Sequence, residues 1–261
     1  MENLNHIEEI AKKLPIVAGI IPKAYEAGIE EGKVRERETF WDTLLQDGNR
    51  SDFMVAGIFD GGSWDFNNFY PTRDIVIRGR AEKLFYNWAS REAHRGSLIE
   101  RLNECGVILD TSQATVLSNI FSYTYITEIP TIDCSNAPNS TGLFSYGWNR
   151  LKKIEKIIVT PNTTYTAWFT NDTDLIEIRV QGTIGQNGFD IHWSKYLSKA
   201  SIESIITALD LIPTIENPTI KVSTTAVNKA FEDHEGDNNG LYSVAWAELR
   251  ASRSNWQILT E

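Results

Sequence analysis

Asp60 and Asp65 bracket the tetrapeptide Gly61-Gly62-Ser63-Trp64, and two carboxylates on either side of one bond are what glycoside hydrolysis requires. That chemistry needs one acid held protonated and the other ionised, and no neighbour in the stretch would separate the two. Asp233-His234-Glu235-Gly236-Asp237-Asn238-Asn239 alternates oxygen donors as a calcium loop does. It lacks the closing bidentate glutamate, so it reads as a solvated acidic loop. His6, His94, His192 and His234 share no metal-ligand spacing. No nucleophile elbow, zincin helix or phosphate-cradling glycine loop occurs, and Gly61-Gly62 and Gly182-x-x-Gly185 read as turns. The expectation is a protein without catalytic residues, bound metal or cofactor.

Aromatic side chains are the remaining source of specific contact. Trp64, Tyr146, Trp148, Trp168 and Trp193 fall in turn-like segments, the last three tryptophans at steps of 20 and 25 residues. Exposed, such a row offers flat faces to sugar rings or to a protein partner. Buried, it fills a wide core, the commoner fate of large aromatics.

These candidates must be positioned by a repeating frame. LFSYGWNRLKKIEKIIV (residues 143–159) combines an aromatic turn with a short β-branched run. Comparable runs stand at Ile75-Val76-Ile77, Val107-Ile108-Leu109, Thr131-Ile132-Asp133 and Ile178-Arg179-Val180. Phe121 with Ile126, Ile129 and Ile132 is echoed by Phe144 with Leu151, Ile154 and Ile157, then by Phe169 with Leu175, Ile178 and Val180. Steps in the low-to-mid twenties announce stacked strand-and-turn units, each burying its apolar side on the next. A parallel strand ladder follows, with the phenylalanines inside it.

Residues 197–209 predict a helix capped by Ser198, with Leu197 and Ile202 as a hydrophobic staple and Ile202, Ile205, Ile206 and Leu209 on one face, ended by Pro213. A strand at 219–223, a helix capped by Thr224, a helix over 244–249 and a strand over 256–259 complete a capping region spanning 197–261. At the other end, Leu4, Ile7, Ile10, Leu14, Val17 and Ile21 form one apolar helical stripe kinked at Pro15, followed by a charged helix to residue 46. Residues 1–46 are therefore either an oligomerisation and attachment arm or a helix folded back on its own domain. Residues 47–73 read as loop, and 47–261 as the repeat domain.

The 261 residues carry 41% hydrophobic side chains and a formal charge of −10. That charge disfavours nucleic acid and anionic lipid as partners. No apolar run suits membrane insertion, and the acidic MENLNHIEEIAKK start is unlike a secretory signal. Cys105 and Cys134 read as small buried hydrophobes.

FWDTLLQDGNRSDF (40–53), LIEIRVQGTIGQN (175–187), LSKASIESIITALD (197–210), KVSTTAVNKAF (221–231) and WAELRASRSNWQI (246–258) together resemble the irregular leucine-rich-repeat proteins encoded among the structural genes of tailed phages of gut Firmicutes. The resemblance implies an α+β fold: an N-terminal helical arm, a short irregular leucine-rich-repeat-like solenoid and an α/β C-terminal cap. It also implies a non-enzymatic virion component of tail, baseplate or fibre. Its partners would be other virion proteins, copies of itself through the arm, and a host glycan or surface protein. A carbohydrate-binding or adhesin-type bacterial surface repeat protein is the alternative; head decoration, head fibre and glycan hydrolase are more distant ones. The chain differs from the family's neatest pattern in its few, uneven repeats and the insertion at 232–241.

Overall fold

The computed structural model describes residues 71, 74–86, 96–146, 150–232 and 239–261. The proposed arm residues Leu4, Ile7, Ile10, Leu14, Val17 and Ile21, together with Trp64, Trp148 and the Asp60/Asp65 pair, lie outside them, as does most of the acidic loop.

Strand β1 (Ile75–Arg80) is followed by helix α1 (Leu98–Cys105), then β2 (Leu109–Val116), β3 (Glu128–Ile129), β4 (Ile132–Asp133), β5 (Lys153–Val159) and β6 (Glu177–Gly182). Helix α2 (Lys199–Ala208), β7 (Thr219–Val222), α3 (Thr224–Ala230), a 3₁₀ turn at Gly240–Tyr242, α4 (Val244–Ala251) and β8 (Gln257–Thr260) follow. Every strand pairing among the described residues is parallel: β1 with β2, β3, β4 and β6 with β5, and β7 with β8. The described fold is thus mixed, with four α-helices and three small parallel sheets.

The registers align the repeated residues. Ile129 pairs with Ile154 and Ile154 with Ile178, while Ile132 pairs with Ile157 and Ile157 with Val180. Between β3 and β4, Pro130 has no amide to give the ladder. Glu155 covers the break, its Oε2 accepting from the Thr131 amide at 3.1 Å and the Thr131 hydroxyl at 3.0 Å. Against β6 the same point is a bulge, since β5 spends three steps from Ile154 to Ile157 where β6 spends two. Further up, Thr111 Oγ1 accepts from the Asp133 amide and donates to its carbonyl, joining β2 to β4 through a side chain.

Pairing continues beyond the strands into the turns. Phe85 donates its amide to Ile120 O, Phe121 to Leu143 O, and Phe144 to Trp168 O, at 2.8, 2.9 and 3.0 Å. This puts Phe85, Phe121, Phe144 and Phe169 at matching positions, and their rings stack inside the core with centroids 5.1, 6.1 and 5.5 Å apart. Phe189 extends the line at 5.1 Å from Phe169. All five are buried, with Leu151, Ile154, Ile157, Leu175 and Ile178 around them.

Helix α2 replaces the strand that would lie beyond β6. Its N-cap Ser198 accepts from the Ser201 amide, and Ile202, Ile205 and Ile206 are buried as the spacing predicts. One turn inside, Ser201 Oγ accepts from the Ile178 amide at 3.0 Å and donates to Ile176 O at 3.1 Å. Ser204 Oγ accepts from the Val180 amide at 2.9 Å. Serine hydroxyls thus satisfy an edge that backbone carbonyls satisfy elsewhere. Ser201→Ala leaves the buried Ile178 amide without an acceptor, and an unfolding free energy lower by about 1–3 kcal/mol is expected in urea titration. The more exposed Ser204→Ala should cost less.

Helix α2 closes at Ala208 with Leu209 as its C-cap, within a residue of the expected end. Two expectations need correction. α3 is capped by Ser223, whose hydroxyl accepts from the Ala226 amide, rather than by Thr224. The Val107-Ile108-Leu109 run is strand only from Leu109, because the preceding α1 closes at the left-handed Gly106 and leaves Ile108 outward. Cys134 is fully buried, and burial pushes its thiol far up, whereas Cys105 is half-buried. Iodoacetamide should therefore label Cys105 in the native chain and reach Cys134 only after urea unfolding, as read by peptide mass spectrometry.

Candidate functional site: an aromatic stack and its cleft

The triplet Phe-Ser-Tyr occurs at 121–123 and again at 144–146. In each, phenylalanine enters the core and tyrosine turns outward. The intervening Ser122 and Ser145 are buried and donate to the Gly142 carbonyl. Tyr123 donates its amide to Ser145 O at 3.1 Å and Tyr146 to Thr170 O at 2.8 Å, which places Tyr123, Tyr146 and Asn171 in one column. All three hold left-handed backbone, with φ of 59°, 58° and 63°. Asparagine accepts this conformation readily and tyrosine does not. The two tyrosines are therefore held in a conformation their neighbours impose.

The consequence is a second stack of rings, on the surface. Tyr86 and Tyr123 lie 5.3 Å apart between centroids and tilted by 57°; Tyr123 and Tyr146 are 4.8 Å apart and nearly parallel, at 12°. The parallel Tyr123 and Tyr146 rings cover each other's facing sides, while Tyr86 leans on Tyr123 at an angle. At the next position stands Asn171, and the stack stops. There Tyr146, Asn171 and Thr173 share a cleft with His192, Trp193, Lys195 and Glu261. Tyr146 is 39% and Trp193 40% exposed. The His192 and Trp193 rings adjoin at 4.9 Å, and His192 Nδ1 is covered yet has no hydrogen-bond partner.

Charge is arranged around this cleft. Lys221 Nζ lies 2.9 Å from Glu261 Oε1. The hydrogen bond between them holds the Glu261 carboxyl below the usual carboxylate range and the lysine above its own. Asp190 is pushed up by burial, against the pull of Lys221 and His192. The two acids thus titrate apart, but Asp190 does not line the cleft and Glu261 is engaged by lysine, so they do not bracket a bond as hydrolysis demands. Among the residues that line the cleft, Glu261 is the one carboxylate.

No family model, curated protein or solved structure matches this chain. The site rests on its own geometry. Of the five aromatics singled out by type and turn position, Tyr146 and Trp193 meet in the cleft. Trp168 does not join them: it is 1% exposed, its ring packs on Phe144 and Tyr165, and its Nε1 donates to Ser140 O at 2.8 Å. It is a core residue, and the row of tryptophans on one side does not form. Tyr86, Tyr123, Asn171, His192 and Lys195 were not anticipated; the repeated Phe-Ser-Tyr triplet was the available signal for the tyrosines. Among the described residues no group of His, Cys, Asp or Glu could hold a metal ion, and no helix is long and apolar enough to cross a membrane.

Proposed function

We propose that this chain is a non-enzymatic structural protein of a phage particle, a tail, baseplate or fibre component fixed through its N-terminal segment and presenting the remainder outward. The observation that supports a structural role is the matched backbone pairing of turn on turn, with Phe85, Phe121, Phe144 and Phe169 stacked in line. We read this as a short irregular solenoid of leucine-rich-repeat type, stiff because each unit buries its apolar side on the next, with residues from α2 onward as its cap. The particle context rests on the resemblance of residues 40–53, 175–187, 197–210, 221–231 and 246–258 to phage repeat proteins. The arm's apolar stripe, Leu4 to Ile21, supplies the attachment, to copies of itself or to a neighbouring virion protein.

The test is to purify particles from a producing strain and to quantify the chain in them by mass spectrometry, beside a chain lacking residues 1–36. Stoichiometric presence of the full chain, with loss of incorporation and self-association on truncation, is expected. A full chain missing from particles would sink this reading. An adhesin or carbohydrate-binding surface protein is the second reading, favoured by the cleft between Tyr146 and Trp193.

A further inference from the structure

We propose that the cleft where the tyrosine stack stops is a glycan-binding site that takes one pyranose ring at the position the missing aromatic would occupy. The proposal deepens the reading above, in which this part of the chain faces outward toward a host surface.

Three observations converge on it. First, Tyr146 stacks on Tyr123 on one side, and at the next position of the column stands Asn171, which has no ring; among the described residues none stacks on the other face of Tyr146. One face of Tyr146 is thereby left to the cleft, whose other aromatic wall is the exposed Trp193. A pyranose presents a flat patch of C–H groups and packs on such faces, and two rings at one cleft select a ring-shaped ligand over an extended chain. Second, the polar groups suit hydroxyls: the Asn171 amide both donates and accepts, the Thr173 hydroxyl does the same, and Lys195 donates. Third, the cleft's carboxylate, Glu261, is paired with Lys221, and the formal charge of −10 disfavours anionic ligands. The cleft is open on one side and has a volume of about 520 Å³, within the range of small-ligand sites. Neutral sugars fit all three.

The column also supplies a clean test, because its backbone already accepts tyrosine at φ of 59° and 58° in two of its three left-handed positions. Asn171→Tyr should continue the stack and fill the site, at the modest backbone cost that Tyr123 and Tyr146 already bear. The full chain is titrated with cellobiose, maltose, lactose and N,N′-diacetylchitobiose, followed by saturation-transfer NMR and tryptophan fluorescence, and applied to a printed array of bacterial surface oligosaccharides. At least one sugar should bind. Tyr146→Ala and Trp193→Ala should each weaken it about ten-fold or more, Asn171→Tyr should abolish it in a chain that still unfolds cooperatively at a somewhat lower urea midpoint, and Ile212→Ser, at an exposed position that does not line the cleft, should leave it unaltered. No binding by any probe, or binding that survives Asn171→Tyr in a folded chain, overturns the proposal. New reducing ends from a bound oligosaccharide would keep the site and overturn the non-enzymatic reading. Absence from particles, with sugar binding intact, would overturn the virion reading alone.

Discussion

Phe144→Ala should lower the unfolding free energy by about 3–5 kcal/mol, the range for truncating a fully buried aromatic. Phe144 is the middle of the core line: its ring lies 6.1 Å from Phe121 on one side and 5.5 Å from Phe169 on the other, with Trp168 edge-on at 6.3 Å. Neighbours on both sides are themselves locked by backbone bonds to the same turn, from Phe121 to Leu143 O and from Phe144 to Trp168 O. They cannot collapse into the vacated space, which keeps the cost near the top of the range. A domain of ordinary stability holds about 5–15 kcal/mol in all, so the variant should be close to unfolding at room temperature. Urea titration by circular dichroism measures this, with Phe144→Leu as a milder control expected to lose less than about 1.5 kcal/mol. A loss under about 1 kcal/mol for the alanine variant would mean that the line of rings is not what joins the units.

Gly182→Ala should be comparably damaging for a different reason. Gly182 pairs with Val159 across β5 and β6 at φ +95°, and a Cβ there would lie 2.0 Å from the Val159 carbonyl oxygen. The obstacle is the backbone of the adjacent unit, so no side chain can rotate aside; either the β5–β6 register opens or the turn after β6 is rebuilt. We expect a loss of about 3 kcal/mol or more. Gly106→Ala isolates the conformational part, since Gly106 is also left-handed, at +67°, but nothing lies within 4 Å of its would-be Cβ. That variant should lose only about 1 kcal/mol. Similar losses for both would show that the close approach to Val159 is not decisive.

The contrast between these positions also explains how much of the molecule could be read from residue order. Phe121, Phe144 and Phe169, with the isoleucines that follow each, recur at near-constant steps, and they align in the structure because apolar side chains at equal steps have one place to go. The α2 helix was legible because its N-cap serine and its Ile202, Ile205, Ile206 face are local signals. Phe85 escaped notice although it belongs to the same line. Helix α1 lies between it and Phe121, stretching the step from Lys153-to-Glu177 length to that of Ile75-to-Leu109. Strand β2 was obscured by its composition, LDTSQATV, in which the inward positions include Thr111 and Ala114 rather than large aliphatics. Trp168 and Trp193 illustrate the limit for the site: similar spacing, opposite burial, because side-chain direction in an irregular turn depends on which residues take left-handed backbone. The cleft depends on Asn171 having no ring, and an asparagine in a turn is unremarkable until its column is known.

The matched pairing of Lys153 with Glu177, and of its neighbours along β5 and β6, has a mechanical consequence. Each unit on the proposed solenoid touches only the units above and below, so tension applied to the two ends would not shear many parallel hydrogen bonds at once but peel one unit at a time. Release at the β5–β6 pairing would pay out the 153-to-177 interval, about 80 Å when fully extended, and the longer β1–β2 step would pay out more. A chain that lengthens in such steps absorbs work without parting at either end.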